Sequence, residues 1–377
     1  MKIVYLASVD VSEFNAPANH VKECACVMSK QHDVTLISAR RRILQSHPLV
    51  DGVTHIPIAF PGINGGWRYF ERRVSWILKR SGCGAGDVVY LRTSPSRIIA
   101  RALSGMTCTK VMEVNGLEVS AHPNFKDMMD AADIVLVGTE STRKGLVEMF
   151  PFSGHKALIH SNIGLDGAHF RPKDKIRARR FLGLREDAKL ALHVSGFQPH
   201  HDYDTLLRAA ESISRDNPAF QLILVGDGER QGEIKASASG LIRSGAVQFS
   251  GAVAVEQLSN YIAAADVCIN AMTMEKLGHG NGNAQKTMEY LACVRPVIET
   301  VDAAQDVPSW LSEHAMCVPP HNVPVMVDAI QCVMEQPILW EQKAASARDM
   351  LLRTHSWDAV VGNTLSMIER VRPARKQ

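Results

Sequence analysis

The sequence predicts an α/β protein built from two doubly wound, Rossmann-like domains, and three observations carry that prediction. The chain has 377 residues, more than one hydrophobic core usually organises, so two domains of about 150–200 residues each are expected. Short, almost continuously apolar runs alternate with helical patterns, as parallel strands do when helices cover both faces of their sheet. The alternation restarts after a basic link, Lys173–Arg180, which gives two successive strand–helix blocks.

In the first block the expected strands are Ile3–Val9, Asp33–Ser38, Asp87–Leu91, Lys110–Glu113, Ile134–Gly138 and Ala157–His160. A helix is expected near Asn19–Lys30. The second block supplies Ala188–Val194, Gln221–Val225, Val247–Phe249, Val267–Ile269 and Pro296–Glu299. The boundary is placed near residues 166–175. Open sheets of this kind bind ligands beyond the carboxyl ends of their strands, so the loops after each strand are where chemistry is sought.

Composition narrows the classes. Hydrophobic residues at 46% and charged residues at 21% describe a soluble globular chain. A net charge of +3 is too small to argue for nucleic acid. Eight cysteines are scattered without a CxxC pair, consistent with reduced thiols in the cytosol. Met1 leads straight into KIVYLASV, without an export signal, and no apolar run approaches the 18–20 or so residues of a spanning helix. A cytoplasmic chain is expected, with contact at the inner membrane face left open.

The most informative stretch is Leu277–Pro296, LGHGNGNAQKTMEYLACVRP. Gly278, Gly280 and Gly282 alternate after a strand, and a helix is expected to start near Ala284. Such glycines let backbone approach an anion, and the amides of the following helical turn point at it. Lys286 in that turn adds positive charge for a diphosphate. Glu289, one turn along the same face, can accept from two ribose hydroxyls. The spacing equally fits an ordinary (i, i+3) surface ion pair.

Here the sequence resembles the retaining glycosyltransferases that include glycogen synthase and many lipopolysaccharide and exopolysaccharide transferases. The resemblance runs in order through His20, His32–Thr35, VYLRTSPS (Val89–Ser96), MEVNG (Met112–Gly116), AADIVLVGTESTR (Ala131–Arg143) and SNIGLDGAHFRP (Ser161–Pro172). It continues through HVSGFQPHHDYDTLLRAA (His193–Ala210), LILVGDGE (Leu222–Glu229) and FSGAVAVEQLSNYIAAADVCINA (Phe249–Ala271). It implies a GT-B fold: an acceptor domain over 1–168, a donor domain over 169–355, a cleft between them, and a C-terminal helix in 356–377 crossing back to the first domain. Three positions, in two places, depart from the family's pattern. Asn281 stands where the first of two glutamates is usual, and Gln198 and His201 stand where a basic pair is usual.

On that resemblance the donor-binding residues are Gly196, Gln198, His201, Gly226, Asp227, Gly280, Asn281, Gly282, Asn283, Lys286, Thr287 and Glu289. His201 can donate a hydrogen bond, or carry charge if its pKa is raised. Gly226 reads as a turn bringing amides to the donor or simply as a turn. The acceptor side is assigned Asn15, His20, Glu113 and Asn115, with Glu113, Lys286 and Glu289 as the catalytic set. Glu113 is a possible base for an acceptor hydroxyl, although Asn115-Gly116 is also a plain turn signal. No metal and no resident cofactor are expected. Asp202-Tyr203-Asp204 is read as a helix start with Asp204 as N-cap, not as a metal motif.

Trp67–Arg80, WRYFERRVSWILKR, places apolar residues at 70, 74, 77 and 78 and basic ones at 68, 72, 73, 79 and 80. It reads either as a membrane-surface helix or as a helix packed on the first sheet with solvated arginines. The resulting expectation is transfer of a sugar from a UDP- or GDP-linked donor to a lipid-linked or polysaccharide-precursor hydroxyl, with retention at the anomeric carbon. A nucleotide-sugar epimerase of the same build and a non-catalytic nucleotide-sugar-binding protein are the alternatives.

Overall fold

The computed structural model describes residues 1–13, 16–40, 50, 52–59, 66–160, 163–273, 285–301 and 307–371. It separates into two compact units, Met1–Gly164 with Trp357–Gln377, and Leu165–Ser356. Each unit is a parallel sheet with helices on both faces, so the chain is two Rossmann-like domains.

The first sheet contains β1 (Lys2–Asp10), β2 (Asp33–Arg40), β3 (Thr54–Ala59), β4 (Val88–Arg92), β5 (Thr109–Val114), β6 (Ile134–Val137) and β7 (Ala157–Ile159). Their order is β3-β2-β1-β4-β5-β6-β7, all parallel. Alternate residues of the central strands feed two cores. Val4, Leu6, Val89 and Leu91 join one face, while Ile3, Tyr5, Val88 and Tyr90 join the other. This is why the central runs are apolar without alternation. The strand β3 is not among the expected ones. Its run THIPIA is mostly half-buried and contains Pro57, which a sheet tolerates at an edge, where β3 pairs with β2 alone in this sheet.

The second sheet contains β8 (Lys189–Val194), β9 (Phe220–Val225), β10 (Val247–Gly251), β11 (Val267–Asn270), β12 (Val297–Thr300) and β13 (Met316–Val318), ordered β10-β9-β8-β11-β12-β13. The strand β13, a three-residue edge, is also beyond the sequence expectation. The direction of winding reverses between β1 and β4 in one sheet and between β8 and β11 in the other. Those switch points are where the loops diverge and leave a crevice.

The basic link of the sequence reading is for the most part a helix, Lys175–Leu182, with Asp174 as its N-cap, accepting from Arg177 N at 2.7 Å. Two of its positive charges share one partner. Asp266 accepts from Lys175 Nζ and Arg179 Nη2, each at 2.7 Å, and from Leu190 N at 2.8 Å, which ties the helix to the start of β8. Likewise the cap expected at Asp204 falls on Asp202, whose Oδ1 accepts from Thr205 N at 3.2 Å.

The last helix, Trp357–Val371, packs on the helix Ala16–Ser29 of the first unit, and Val361 and Ile368 enter the same core as Ile3 and Tyr5. Trp357 meets His20 edge-on at 5.4 Å between ring centres. In the helix Gly66–Arg80, Phe70, Val74 and Leu78 are buried in the first core, with Ile77 packed partly against it. Of the two readings of this stretch, packing accounts for the apolar stripe, which the first core covers. The opposite face exposes Arg68, Tyr69, Arg72, Arg73, Trp76, Lys79 and Arg80.

Candidate functional site

The first site lies in the second unit, at the carboxyl ends of β8 and β11. After β8 the chain turns sharply. Ser195 N donates to Val225 O at 2.9 Å, and Phe197 follows with φ of 48°, fully buried and stacked on Tyr203 at 5.1 Å. This fixes Gly196 and Gln198 as the exposed rim of the loop, with Gln198 Nε2 donating to Gly196 O at 3.3 Å. The loop after β9 is pressed against it. Asp227 is exposed, and its Oδ1 accepts from Gly228 N at 2.7 Å.

The helix Gln285–Ala292 enters from the other side of the switch point. The hydroxyl oxygen of Tyr290, fully buried, accepts from Val194 N at the end of β8 at 3.1 Å, and Thr287 is buried against Asn270 at the end of β11. Lys286 and Glu289 are half-buried. Glu289 Oε1 accepts from Gln285 Nε2 at 3.1 Å, so the carboxylate is steadied from four residues back. Burial lowers the Lys286 pKa to about 8 against the pull of Glu289 and Glu299, and burial raises Glu289 to about 7.

Three histidines surround this lysine electrostatically. His193 Nδ1 bonds to Ile269 O at 2.9 Å, and burial followed by Lys286 lowers its pKa to about 3. His200 is lowered by the same two causes. His201 is buried, and burial, His193 and Lys286 hold it far below the ordinary imidazole range. A positive charge on His201, conditional in the sequence reading on a raised pKa, is therefore corrected to a neutral ring. Among the described residues the cation acting on all three rings is Lys286. Asn15, Gly280, Asn281, Gly282 and Asn283 lie outside the described residues.

The second cluster sits at the carboxyl ends of β4 and β5, in the first unit. Glu113, 4% exposed, accepts from the Tyr90 hydroxyl at 3.0 Å and from Arg92, and His20 Nε2 lies 3.5 Å from it. Arg92 Nη1 also donates to Asn115 Oδ1 at 2.7 Å. His20 Nε2 is 3.4 Å from Cys24 Sγ, one turn along its helix. Burial opposes charge on His20, but Cys24 and Glu113 overcome it and raise its pKa to about 10. Burial opposes charge on Glu113 too, yet His20 and Arg92 hold its carboxyl far below the usual range. The structure thus brings His20, Glu113 and Asn115 together. A carboxylate held by three donors is a fixed anion that orients His20 and Arg92, and it is a weak proton acceptor.

Sequence reasoning did not single out Arg92, His193, Asn270 or Glu299. Each is a polar residue within or closing an apolar strand run, and that misfit is the signal that marks it. Among the described residues no group of three or more His, Cys, Asp or Glu is placed to hold a metal ion.

Two parallel-sheet domains, each with a polar cluster at the carboxyl ends of its strands, are the architecture of the GT-B fold. Solved structures agree on the fold. The Anabaena Alr3699/HepE protein in complex with UDP and glucose has a TM-score of 0.74 at 14% identity, covering 98% of this chain and 99% of that one. Sucrose-phosphate synthase from Thermosynechococcus elongatus has a TM-score of 0.71 at 15% identity, covering 98% of each. Residues 188–336 match the family model described as glycosyl transferases group 1. A D-inositol 3-phosphate glycosyltransferase from a Nocardioides species is 28% identical over 263 residues, 66% of this chain and 56% of that protein. One from Geodermatophilus obscurus is 31% identical over 176 residues, 44% of this chain and 38% of that protein. The chain thus spans about half or less of the curated relatives it matches. By these matches the two domains have the GT-B fold, and residues 188–336 are similar to the group 1 glycosyltransferases.

Proposed function

We propose that this chain transfers a glycosyl group from a nucleoside diphosphate sugar to an acceptor hydroxyl, with retention at the anomeric carbon. The observation that carries the reading is Lys286, half-buried in the first turn of its helix beside the ends of β8 and β11, with Glu289 one turn further on. Lys286 and the amides of that turn meet the diphosphate, and Glu289 meets the ribose. As the glycosidic bond to the diphosphate breaks, negative charge builds on the leaving phosphate. A cation and a helix N-terminus already in place stabilise it without reorganisation, and no metal is required. The Anabaena Alr3699/HepE protein forms complexes with UDP and glucose and with UDP-glucose, which supports a uridine donor here.

Lys286→Ala and Glu289→Ala are each expected to weaken UDP or GDP binding at least tenfold, about 1.4 kcal/mol, in calorimetric titrations. Unchanged affinity in both would remove the donor-site assignment. Incubation with a labelled nucleotide sugar and no acceptor separates transfer from epimerisation.

The acceptor in this reading is a lipid-linked or polysaccharide-precursor glycan, met by His20, Glu113 and Asn115 together with Asn15. Support for a membrane-borne acceptor is the exposed face of the helix Gly66–Arg80. Tyr69 and Trp76 stand out at 51% and 48% exposure, with Arg80 and Arg73 at 4.2 and 5.0 Å from the Trp76 ring centre. Interfacial rings amid cations suit an anionic leaflet, where each basic residue contributes about 1 kcal/mol. Among the described residues no helix is long and apolar enough to cross a membrane, so contact in this reading is peripheral. The double variant Arg72→Ser/Arg73→Ser is expected to lose tenfold or more in partitioning onto vesicles carrying phosphatidylserine. Equal sedimentation with neutral and anionic vesicles would exclude this contact.

A further inference from the structure

Glu299 is the penultimate residue of β12, 5% exposed, directly opposite Asn270 of β11 in the strand register. Its Oε1 accepts from Asn270 Nδ2 at 2.7 Å, and its Oε2 accepts from the Thr287 hydroxyl. Asn270 Nδ2 also approaches Thr287 Oγ1 at 3.4 Å, and Asn270 and Thr287 are both fully buried. One carboxylate therefore ties two strand ends to the first turn of the helix that carries Lys286. A buried acid is costly to ionise unless it is hydrogen-bonded and has a counter-charge. Its two donors are neutral, and the cation that acts on it is Lys286, the residue before Thr287.

We propose that Glu299 is a positioning residue of the nucleotide site: through Thr287 it fixes the first turn of the Gln285–Ala292 helix, and its carboxylate is a counter-charge for Lys286 on that turn. The inference rests on the donor-site reading and assigns to that site a residue lying outside the glycine loop and its helix.

Among the described residues, groups on its own helix, on two strands and in the loop after β8 act on Lys286. They are Glu289 on its own helix, Glu299 on β12, His193 on β8, and His200 and His201 in the loop that follows. The three histidines are held neutral, so among the described residues the counter-charges acting on Lys286 are the two glutamates. Burial raises Glu299 to about 7 and lowers Lys286 to about 8, so both sit close to working pH. Removing the negative charge of Glu299 leaves Glu289 to hold the proton on Lys286, which is then lost at lower pH. Diphosphate binding needs that proton, so its affinity follows the same titration.

The test is calorimetric titration of the full chain with UDP between about pH 7 and 9.5, above the second phosphate ionisation near 6. In the unaltered protein affinity falls as Lys286 deprotonates. Glu299→Gln keeps the side-chain volume and is expected to shift the midpoint of that fall to lower pH by about half a unit or more, while affinity at pH 7 stays within about threefold. A purely structural role would change affinity uniformly and leave the midpoint in place. Should Glu299→Gln fail to fold, Asn270→Ala removes one donor to the carboxylate and is expected to move the midpoint in the same direction. A profile superimposable on that of the unaltered protein, in whichever variant folds, overturns the proposal. Lys286→Met separates the two layers. If it binds UDP normally the donor-site reading fails, whereas lost binding together with an unshifted Glu299→Gln profile removes only the role of Glu299.

Discussion

Glu113→Ala is expected to destabilise the first unit by about 3–5 kcal/mol, the range for removing one partner of a buried ion pair. The alanine leaves Arg92 and His20, with side chains only 13% and 10% exposed, next to a vacated space, and strands the Tyr90 hydroxyl. Urea unfolding followed by circular dichroism measures the loss, with the first unit's transition fitted separately from the second's. Glu113→Gln preserves shape but not charge and should fall between the two. The pH dependence gives an independent check. Glu113 is held below its ordinary 4.5, so its contribution is present above that value and fades as pH falls. His20 is raised from 6.5 to about 10, so its contribution is complete below 6.5 and is lost as pH rises toward 10. The first unit should therefore be most stable between about 4.5 and 6.5, and Glu113→Ala should flatten the alkaline decline. A variant within about 1 kcal/mol of the parent at pH 6 would show that the cluster does not hold this unit together.

Much of this architecture was legible in the sequence because buried parallel strands write themselves as apolar runs. The central strands β1, β4, β5, β8, β9 and β11 were readable for that reason. The edges were not, since β3 mixes Thr54, His55 and Pro57 into a half-covered strand and β13 has only three residues. At the site, Lys286 and Glu289 could be picked out because both lie within one local motif, a glycine-rich loop running into a helix. Glu299 could not, because its meaning comes from register. Only when β11 and β12 pair does Asn270 stand opposite it, and only the packing of the following helix brings Thr287 to its other oxygen. Arg92 escaped similarly, as its partners Glu113 and Asn115 belong to the neighbouring strand and the loop after it. Short-range spacing reveals turns and helix faces, whereas cross-strand chemistry needs the fold.

Gly226→Ala is expected to cost the second unit about 3–5 kcal/mol and to weaken UDP binding with it. Two penalties combine. The backbone at Gly226 has φ of 128°, where a residue with a Cβ is strained by about 1–3 kcal/mol. The added carbon would also sit 1.9 Å from Ser195 O and 3.0 Å from Ser195 C, overpacking that adds a further 1–3 kcal/mol or so. Both obstacles are backbone atoms, so no rotamer change relieves them. Nor can the loops separate freely, because Ser195 N donates to Val225 O and Gly226 N donates to Gly251 O, each at 2.9 Å. Any relief must displace the turn that carries Gly196, Phe197 and Gln198, which is why nucleotide affinity should fall along with stability. Gly196→Ala serves as the control. Its new carbon would meet nothing nearer than Gln198 Cγ at 3.8 Å, so stability should be close to unchanged. If Gly226→Ala unfolds at the parent's urea concentration and binds UDP equally well, the close apposition of the β8 and β9 loops has no part in building the donor site. If Gly226→Ala loses both properties and Gly196→Ala keeps its stability, the backbone contact itself, and not side-chain bulk on the loop, sets the geometry on which Lys286 and its diphosphate depend.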